Sequence, residues 1–289
     1  MRKDYFSPSL RRPGQALRLG LGANGLALVK TSRAFGGAPL ALSERPLDGI
    51  DPDAATATAT LAADVAAALA PGLRKLFAGL APGGWPVSVV LADELVRLWH
   101  VTPPPGATRM GDLEAAAALR LQHLYGASGA EWKISADWDA DAPFLAAAVP
   151  QVLLDALIAA AREHGFHLVE VCPQFVAAMN AWRRERRAGA WFGQVAGGVL
   201  SLAAYEGRTL AGLRSAPIPP GADRQWLDAH LAREALRLGV ARPERLQLCG
   251  AAPAAWASSP GRMKFACSLL EQADDWSELA RLARTGVPA

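Results

Sequence analysis

Cysteine, long apolar runs and strong net charge are all scarce in this sequence of 289 residues. Its three cysteines, Cys172, Cys249 and Cys267, form neither a CxxC pair nor a zinc-ligand spacing, which favours a reducing compartment. No stretch approaches the roughly 18 apolar residues that a membrane-spanning helix needs. The basic residues near the start precede no apolar segment, so they do not form a secretion signal. We therefore expect a cytoplasmic protein.

The composition is that of an ordinary globular protein, without the common catalytic motifs. Hydrophobic residues make up 51% of the chain and charged residues 20%, which suits one large or two medium domains. A formal net charge of +3 is too weak to indicate a nucleic-acid partner. Neither a GxSxG nucleophile elbow nor a GxxxxGK[ST] phosphate loop occurs in the sequence.

The most informative stretch is glycine-rich: residues 17–30 read LRLGLGANGLALVK. Apolar residues on both sides of Gly20, Gly22, Asn24 and Gly25 predict a β-hairpin whose backbone can approach a phosphate closely, because glycine has no Cβ. No carboxylate stands in the stretch, although a phosphate-handling enzyme usually needs one to hold a metal or position water. The stretch therefore predicts the shape of a phosphate site without its reactive group.

Helical and strand patterns mix along the chain, which indicates an α/β or α+β class. Apolar residues at helical spacing predict helices over 54–77, 112–125, 152–164, 173–182, 225–238 and around 275–284. Short apolar or alternating runs predict strands over 38–47, 87–92, 96–101, 132–138, 144–149, 166–171 and 245–249, besides hairpins over 17–31 and 190–213.

Two groups of polar residues have the look of metal sites, but simpler interpretations are favoured. His164 and His167 lie on either side of Gly165, which should end a helix, and no nearby carboxylate completes a ligand set. The alternating Asp137, Asp139 and Asp141 lack the glycine and distal glutamate of a calcium loop. We expect a surface pair and a solvated turn, respectively, and no metal site.

Two further features bear on partners. Residues 183–187 read RRERR and could either contact phosphate or lipid headgroups or complement the dipole at a helix end, the interpretation we favour. Among the tryptophans, Trp276 near the C-terminus is the best candidate for contact with a partner, because tryptophan is enriched in interface hot spots.

Three segments, taken together, resemble the actin-like ATPase superfamily. Within it the chain is most similar to the PilM family of type IV pilus assembly proteins, and more distantly to the cytoplasmic domain of the secretion protein GspL. The segments are the hairpin LRLGLGANGLALVK, the stretches over 96–126 and 144–182, and the pair WFGQVAGGVLSLAAYEG and LQLCGAA. They resemble the first phosphate hairpin, the inserted subdomain with the return to the first domain, and the second phosphate hairpin with the adenosine turn.

This resemblance implies a duplicated, ribonuclease H-like α/β fold with an inserted α+β subdomain. The implied division is a disordered N-terminus over 1–15, a first actin-like domain over 16–96 and 166–188, an inserted subdomain over 97–165, a second actin-like domain over 189–270, and a C-terminal tail over 271–289.

Departures from the family pattern bear on the chemistry. In the family, each phosphate hairpin carries an aspartate that organises magnesium and the attacking water. Here the first position falls on Gly20 and the second on Gln194, and the adenosine turn reads Gly250-Ala251 instead of two glycines. The resemblance therefore implies a degenerate nucleotide cleft without catalytic residues, formed by Gly22, Asn24, Gly25, Gln194, Gly197, Gly198 and Gly250.

The resemblance implies a non-catalytic scaffold on the cytoplasmic face of the inner membrane, within a type IV pilus or related secretion assembly. Its partner would be the cytoplasmic N-terminal peptide of a PilN-like bitopic membrane protein, and no cofactor is required. Three alternatives remain open: vestigial ATP binding, self-association, and a divergent ATPase or sugar-kinase-like phosphotransferase. The last would need a carboxylate from elsewhere, such as Asp93, Glu94 or Glu170.

Overall fold

The computed structural model describes residues 15–32, 39–50, 58–78, 80, 82–127, 129–257, 265–271 and 275–287. The N-terminal segment predicted to be disordered lies outside these residues, except for Gln15, which begins the first strand. The predicted mixture of helices and strands is confirmed.

The first half of the protein is built on a five-stranded sheet of order β3-β2-β1-β4-β8. Its strands are β1 (Gln15–Gly22), β2 (Gly25–Ser32), β3 (Leu40–Arg45), β4 (Pro86–Leu91) and β8 (His167–Pro173). The first three strands pair antiparallel, whereas β4 and β8 continue the sheet in parallel. Gly22 pairs with Gly25 across the predicted β1–β2 hairpin, so Ala23 and Asn24 form its turn.

The two faces of β1 have different environments because side chains alternate along a strand. Leu17, Leu19 and Leu21 lie in the main hydrophobic core, which α1 (Thr58–Leu76) and α3 (Gln151–His164) cover. The residues between them, among them Gly20, face the other side of the sheet. That side packs against the C-terminal residues Leu282 and Ala283.

An inserted unit of β5 (Arg97–Val101), α2 (Met110–Tyr125), β6 (Trp132–Ala136) and β7 (Phe144–Pro150) interrupts the first half. Its sheet has the order β5-β7-β6, and its own small core includes Trp99, Leu121 and Phe144. Helix α3, which the division by sequence assigned to the inserted subdomain, instead contributes Leu153 and Leu157 to the core of the first half.

The second half repeats the topology of the first sheet. The strands β9 (Trp191–Ala196), β10 (Val199–Glu206), β11 (Thr209–Pro217), β12 (Arg245–Gly250) and β13 (Ala266–Leu269) form a sheet of order β11-β10-β9-β12-β13. Helix α5 (Arg224–Leu238) covers one face and packs with Trp191 and Trp256 in a second core. Strand β13 was not predicted from the sequence.

Helix α4 (Gln174–Ala181) joins the two halves. Phe175 and Met179 pack with Phe192 and Cys249 of the second sheet, and the rings of Phe175 and Phe192 lie 5.8 Å apart at their centroids. Ala177, on another face of α4, packs with first-half residues. The halves are therefore held together by a continuous apolar contact.

The C-terminal helix α6 (Glu278–Arg284) returns to the first sheet. Ala283 packs against Ala27 and Val29 of β2, and the Arg18 side chain donates to the carbonyl oxygens of Ala283 and Thr285 at 3.0 and 2.5 Å. The segment treated by sequence as a tail is thus part of the first half. None of the helices described here is long and apolar enough to cross a membrane.

Candidate functional site

A cleft lies between the two halves, at the ends of β1, β9 and β12, and it contains two cavities of ≈ 870 and ≈ 630 Å³. Both cavities are bordered by Gln174 of α4, by Gln194 and Gly197 of the second hairpin, and by Glu278 of α6. Helix α6 therefore lies within the cleft and divides it.

The first hairpin faces the smaller cavity, where Gly22 and Asn24 form part of the wall. The backbone N–H of Ala23, at the tip of the hairpin, donates to Glu94 Oε1 at 3.2 Å. A carboxylate of the protein itself thus occupies the position in which an external anion would meet this amide. Gly25 packs against the Arg45 carbonyl oxygen, where a Cβ has no room.

Gly20, which stands where the family pattern has its first aspartate, lies under α6. A Cβ added to Gly20 would be 2.7 Å from the backbone nitrogen of Ala283 and 3.1 Å from its Cβ. Leu282 of the same helix lies 3.6 Å from the Cβ position of Gly22. Helix α6 consequently fills the space that a metal-organising carboxylate on β1 would need.

The second hairpin borders both cavities. Gln194 is buried, and its Oε1 has no hydrogen-bond partner among the described residues. Gly197 and Gly198 form the turn with φ of +54° and +70°, the left-handed region that glycine adopts without strain. Glu278 Oε1 of α6 lies 3.3 Å from the Cβ position of Gly197.

Gly250, at the predicted adenosine turn, lines the larger cavity. Its φ of +78° and the close Val195 carbonyl oxygen both require glycine at this position. The backbone N–H of Gly250 donates to Glu271 Oε2 at 3.1 Å, and Glu271 Oε1 accepts from the indole of Trp182 at 3.3 Å. A second carboxylate of the protein itself therefore accepts a hydrogen bond from a backbone amide that faces the cleft.

The electrostatics of the cleft differ between its two parts. Glu94 and Glu278 border the smaller cavity together with Asp93, whereas Arg281 and Arg284 join Glu271 and Glu278 at the larger one. Glu94 and Glu278 therefore oppose a polyphosphate in the smaller cavity by like-charge repulsion, whereas the two arginines offset the two carboxylates at the larger one. The described residues contain no group of three or more His, Cys, Asp or Glu side chains that could hold a metal ion.

Asp93 follows β4 and borders the smaller cavity. Its Oδ1 accepts from the backbone N–H of Phe175 at the start of α4, at 3.1 Å. Burial raises its pKa from 3.8 to about 7; the hydrogen bond from Phe175 opposes this shift, and the charge of Glu94 adds to it. The carboxyl is thus partly protonated near neutral pH.

Other residues singled out by sequence lie away from the cleft. Glu170, an alternative source of a carboxylate, is exposed on the edge strand β8. Asp139 Oδ1 accepts from the backbone N–H groups of Asp141 and Ala142, at 2.8 and 2.9 Å, as a turn would. The His164 ring packs edge-on against Phe77, with centroids 5.1 Å apart, while His167 is exposed.

Trp276, the sequence-based candidate for contact with a partner, is half-buried and lines the larger cavity. It packs beside Ala283, and the Arg284 guanidinium lies 5.0 Å from its ring centroid. Gln174, which no sequence pattern indicated, lines both cavities and donates to Thr285 Oγ1 at 3.3 Å. Its position at the first turn of a short helix between the two hairpins was its only signal.

Comparison with known proteins gives matches in structure alone. No family model matches the chain, and no curated protein matches it. The cytoplasmic domain of EpsL, an inner membrane component of the type II secretion system of Vibrio cholerae, matches with a TM-score of 0.54, 14% identity and 94% of each chain covered.

Two further solved structures match equally well. A chain of the PilM–PilN type IV pilus biogenesis complex has a TM-score of 0.54 and 17% identity over 82% of this chain and 81% of that one. A Bacteroides thetaiotaomicron protein with an actin-like ATPase fold has a TM-score of 0.54 and 11% identity over 93% and 95% of the chains. These likenesses confirm the predicted actin-like ATPase fold.

Proposed function

We propose that this protein is a non-catalytic scaffold of a type IV pilus or related secretion assembly. It works at the cytoplasmic face of the inner membrane, where it binds the cytoplasmic N-terminal peptide of a PilN-like bitopic protein. The fold is shared with an inner membrane component of a secretion system and with a pilus biogenesis complex. The observation that carries the non-catalytic assignment is the insertion of α6 over Gly20, which leaves no room for a carboxylate at that position.

The cleft supports this assignment at two further places. Glu94 accepts a hydrogen bond from the hairpin N–H of Ala23, and Glu271 accepts one from the turn N–H of Gly250. Amides already paired with carboxylates of the protein are not available to phosphate oxygens. An ATP molecule whose phosphates contacted these two amides would have to break both hydrogen bonds.

The junction between the inserted unit and the first half offers a surface for an extended peptide. Leu98 of β5 and Val149 of β7 pack against the core of the first half. Beside them, the Tyr125 hydroxyl donates to the Leu98 carbonyl oxygen at 3.0 Å, and the Arg97 guanidinium lies 4.9 Å from the Tyr125 ring centroid. Leu124 and Tyr125 are nonetheless 44% and 41% exposed, so an apolar and aromatic surface is available next to strand backbone, as peptide docking requires.

A peptide-binding measurement tests this function. A labelled synthetic peptide of the N-terminal cytoplasmic segment, taken from the PilN-like protein encoded nearest to this gene, is titrated with the full chain and followed by fluorescence anisotropy. We expect saturable binding that Leu124→Asp weakens about tenfold or more, because a charge replaces an apolar contact. Leu119→Asp is the matched control: Leu119 is 67% exposed and lies about 140° around α2 from Leu124. Absence of binding, or equal loss in both variants, would contradict the proposed function.

A further inference from the structure

A small basic pocket lies on the second half, on the turns that follow α4 and β10. It has a volume of ≈ 310 Å³ and is lined by four arginines, Arg183, Arg186, Arg187 and Arg208, together with Ala188, Ala190, Tyr205 and Gly207. We call it the arginine pocket. The sequence favoured the RRERR run as the end of a helix. In the structure α4 ends at Ala181, so the run begins two residues after the helix, and three of its arginines line this pocket.

Hydrogen bonds to β12 and between the two turns hold the backbone of the arginine pocket in place. Buried Gln247 of β12 accepts from the Arg187 N–H at 2.8 Å through Oε1, and its Nε2 donates to the Glu185 carbonyl oxygen at 3.0 Å. The Gly189 N–H donates to the Gly207 carbonyl oxygen at 2.7 Å and so joins the two turns. The backbone that carries the arginines is therefore ordered by the fold before any ligand binds, which lowers part of the entropic cost of binding.

One arginine is fixed at the pocket by its side chain as well. Arg186 Nη1 donates to the Tyr205 hydroxyl at 2.6 Å, and the guanidinium lies 5.5 Å from the ring centroid. Its Nε is buried and has no hydrogen-bond partner among the described residues. The other three arginines are exposed, so their side chains can turn toward a ligand.

The described residues that line the arginine pocket include four arginines and no carboxylate. Within the part of the chain that the structure describes, none of the four arginines forms an ion pair with a carboxylate. Glu206 and Glu244 line the adjoining pocket on the other side of Tyr205. Four guanidinium groups stand around one small space in a protein whose formal net charge is only +3.

We infer that the arginine pocket binds a phosphate group. Guanidinium groups donate in paired fashion to phosphate oxygens, and a phosphate monoester offers three acceptor oxygens and about −1.5 to −2 charges. A single carboxylate has two oxygens and one charge, too few for four arginines. The phosphate monoester can be soluble or can be the headgroup of a lipid such as phosphatidic acid, and both present the same three oxygens to the pocket.

The test uses the full chain with inorganic phosphate and pyrophosphate in calorimetric titrations at low ionic strength. We expect binding that the double variant Arg183→Gln/Arg208→Gln weakens by about tenfold or more, because two charge-assisted interactions are lost. Both residues are exposed, so folding should be preserved. The control is Arg120→Gln/Arg162→Gln, which removes the same charge from exposed positions on α2 and α3 and should change affinity less than about twofold.

Vesicles distinguish the source of the phosphate. Sedimentation with phosphatidic acid vesicles, compared with phosphatidylcholine vesicles, identifies a lipid headgroup if the protein binds the anionic vesicles and the pocket variant does not. Phosphate binding without vesicle binding identifies a soluble ester. No binding of either anion, or equal weakening by the pocket and control variants, overturns the inference.

Discussion

Gly20 of the first hairpin and Ala283 of the C-terminal helix stand in mutual contact: a Cβ on Gly20 would lie 2.7 Å from the Ala283 backbone nitrogen. The absence of an aspartate from the first hairpin and the position of α6 therefore depend on each other. A side chain at residue 20 and the helix cannot occupy the same space.

Replacing Gly20 with alanine should destabilise the protein by about 1–3 kcal/mol, because the added methyl group overpacks the contact with α6. Gly22→Ala is the matched control two residues along the same strand, where the nearest atoms to the Cβ position are 3.4 Å away. Urea unfolding measures both. Equal stability of Gly20→Ala and the wild type would show that α6 does not rest on Gly20.

Arg18 should hold α6 against the sheet through its bonds to Ala283 and Thr285. Arg18→Met removes donors from these carbonyl groups, at a cost of about 1.5–3 kcal/mol for charged hydrogen bonds. Relative to the wild type, we expect amide hydrogen exchange to become faster in α6 and to stay unchanged in the rest of the chain, since loss of a local restraint promotes local opening. Arg74→Met, which removes an exposed ion pair with Glu163, should leave exchange in α6 unchanged; uniform acceleration in the Arg18 variant would contradict the assignment.

Phe175 should be central to the contact between the halves, since it is 1% exposed and packs on Phe192. Truncation to alanine is expected to cost about 3–5 kcal/mol through lost burial and a cavity. Leu119→Ala, at an exposed position, should change stability by no more than about 0.5 kcal/mol. Thermal unfolding followed by tryptophan fluorescence compares them, and a small effect of Phe175→Ala would indicate that the halves associate by other contacts.

Asp93 should make stability depend on pH in a defined direction. Because its folded pKa is about 7 and its reference value 3.8, the folded state binds more protons between these values, and its stability falls as the pH rises. Asp93→Asn removes this dependence while keeping an acceptor for the Phe175 N–H. Between about pH 5 and pH 8 the variant should gain up to about 3 kcal/mol relative to the wild type. Urea unfolding at both pH values measures the gain, and parallel pH profiles would refute it.

The sequence predicted local elements well where apolar spacing was distinct. The first hairpin and α3, closed by Gly165 with a φ of +68°, have short-range signals in glycine placement and residue periodicity. Strand β13 was missed because the four residues Ala266–Leu269 show no alternation long enough to read. Helix α3 packs in the core of the first half and not in that of the inserted unit. The sequence could not show this, because periodicity identifies an apolar face but not the sheet against which that face packs.

The cleft could be predicted only in part. Gly22, Gln194 and Gly250 line its two cavities, while their role toward a nucleotide stays a prediction. The acceptors of its amides could not be foreseen, because Glu94 lies 71 residues from Ala23 in sequence, and Glu271 lies 21 from Gly250. The return of α6 was equally hidden: its seven residues carry a local helix signal, and their place in the cleft is decided by tertiary packing.

The most direct test of the central claim is a calorimetric titration of the full chain with magnesium-ATP, paired with a phosphate-release assay. Because α6 covers Gly20 and the amides of Ala23 and Gly250 are paired with Glu94 and Glu271, we expect no saturable binding in the cleft and no turnover above a buffer blank. Since the arginine pocket is expected to bind phosphate groups, the titration is repeated in the Arg183→Gln/Arg208→Gln variant, which removes that contribution. Micromolar binding that persists in this variant, with turnover lost in Asp93→Asn or Glu94→Gln, would contradict the account and identify a divergent ATPase.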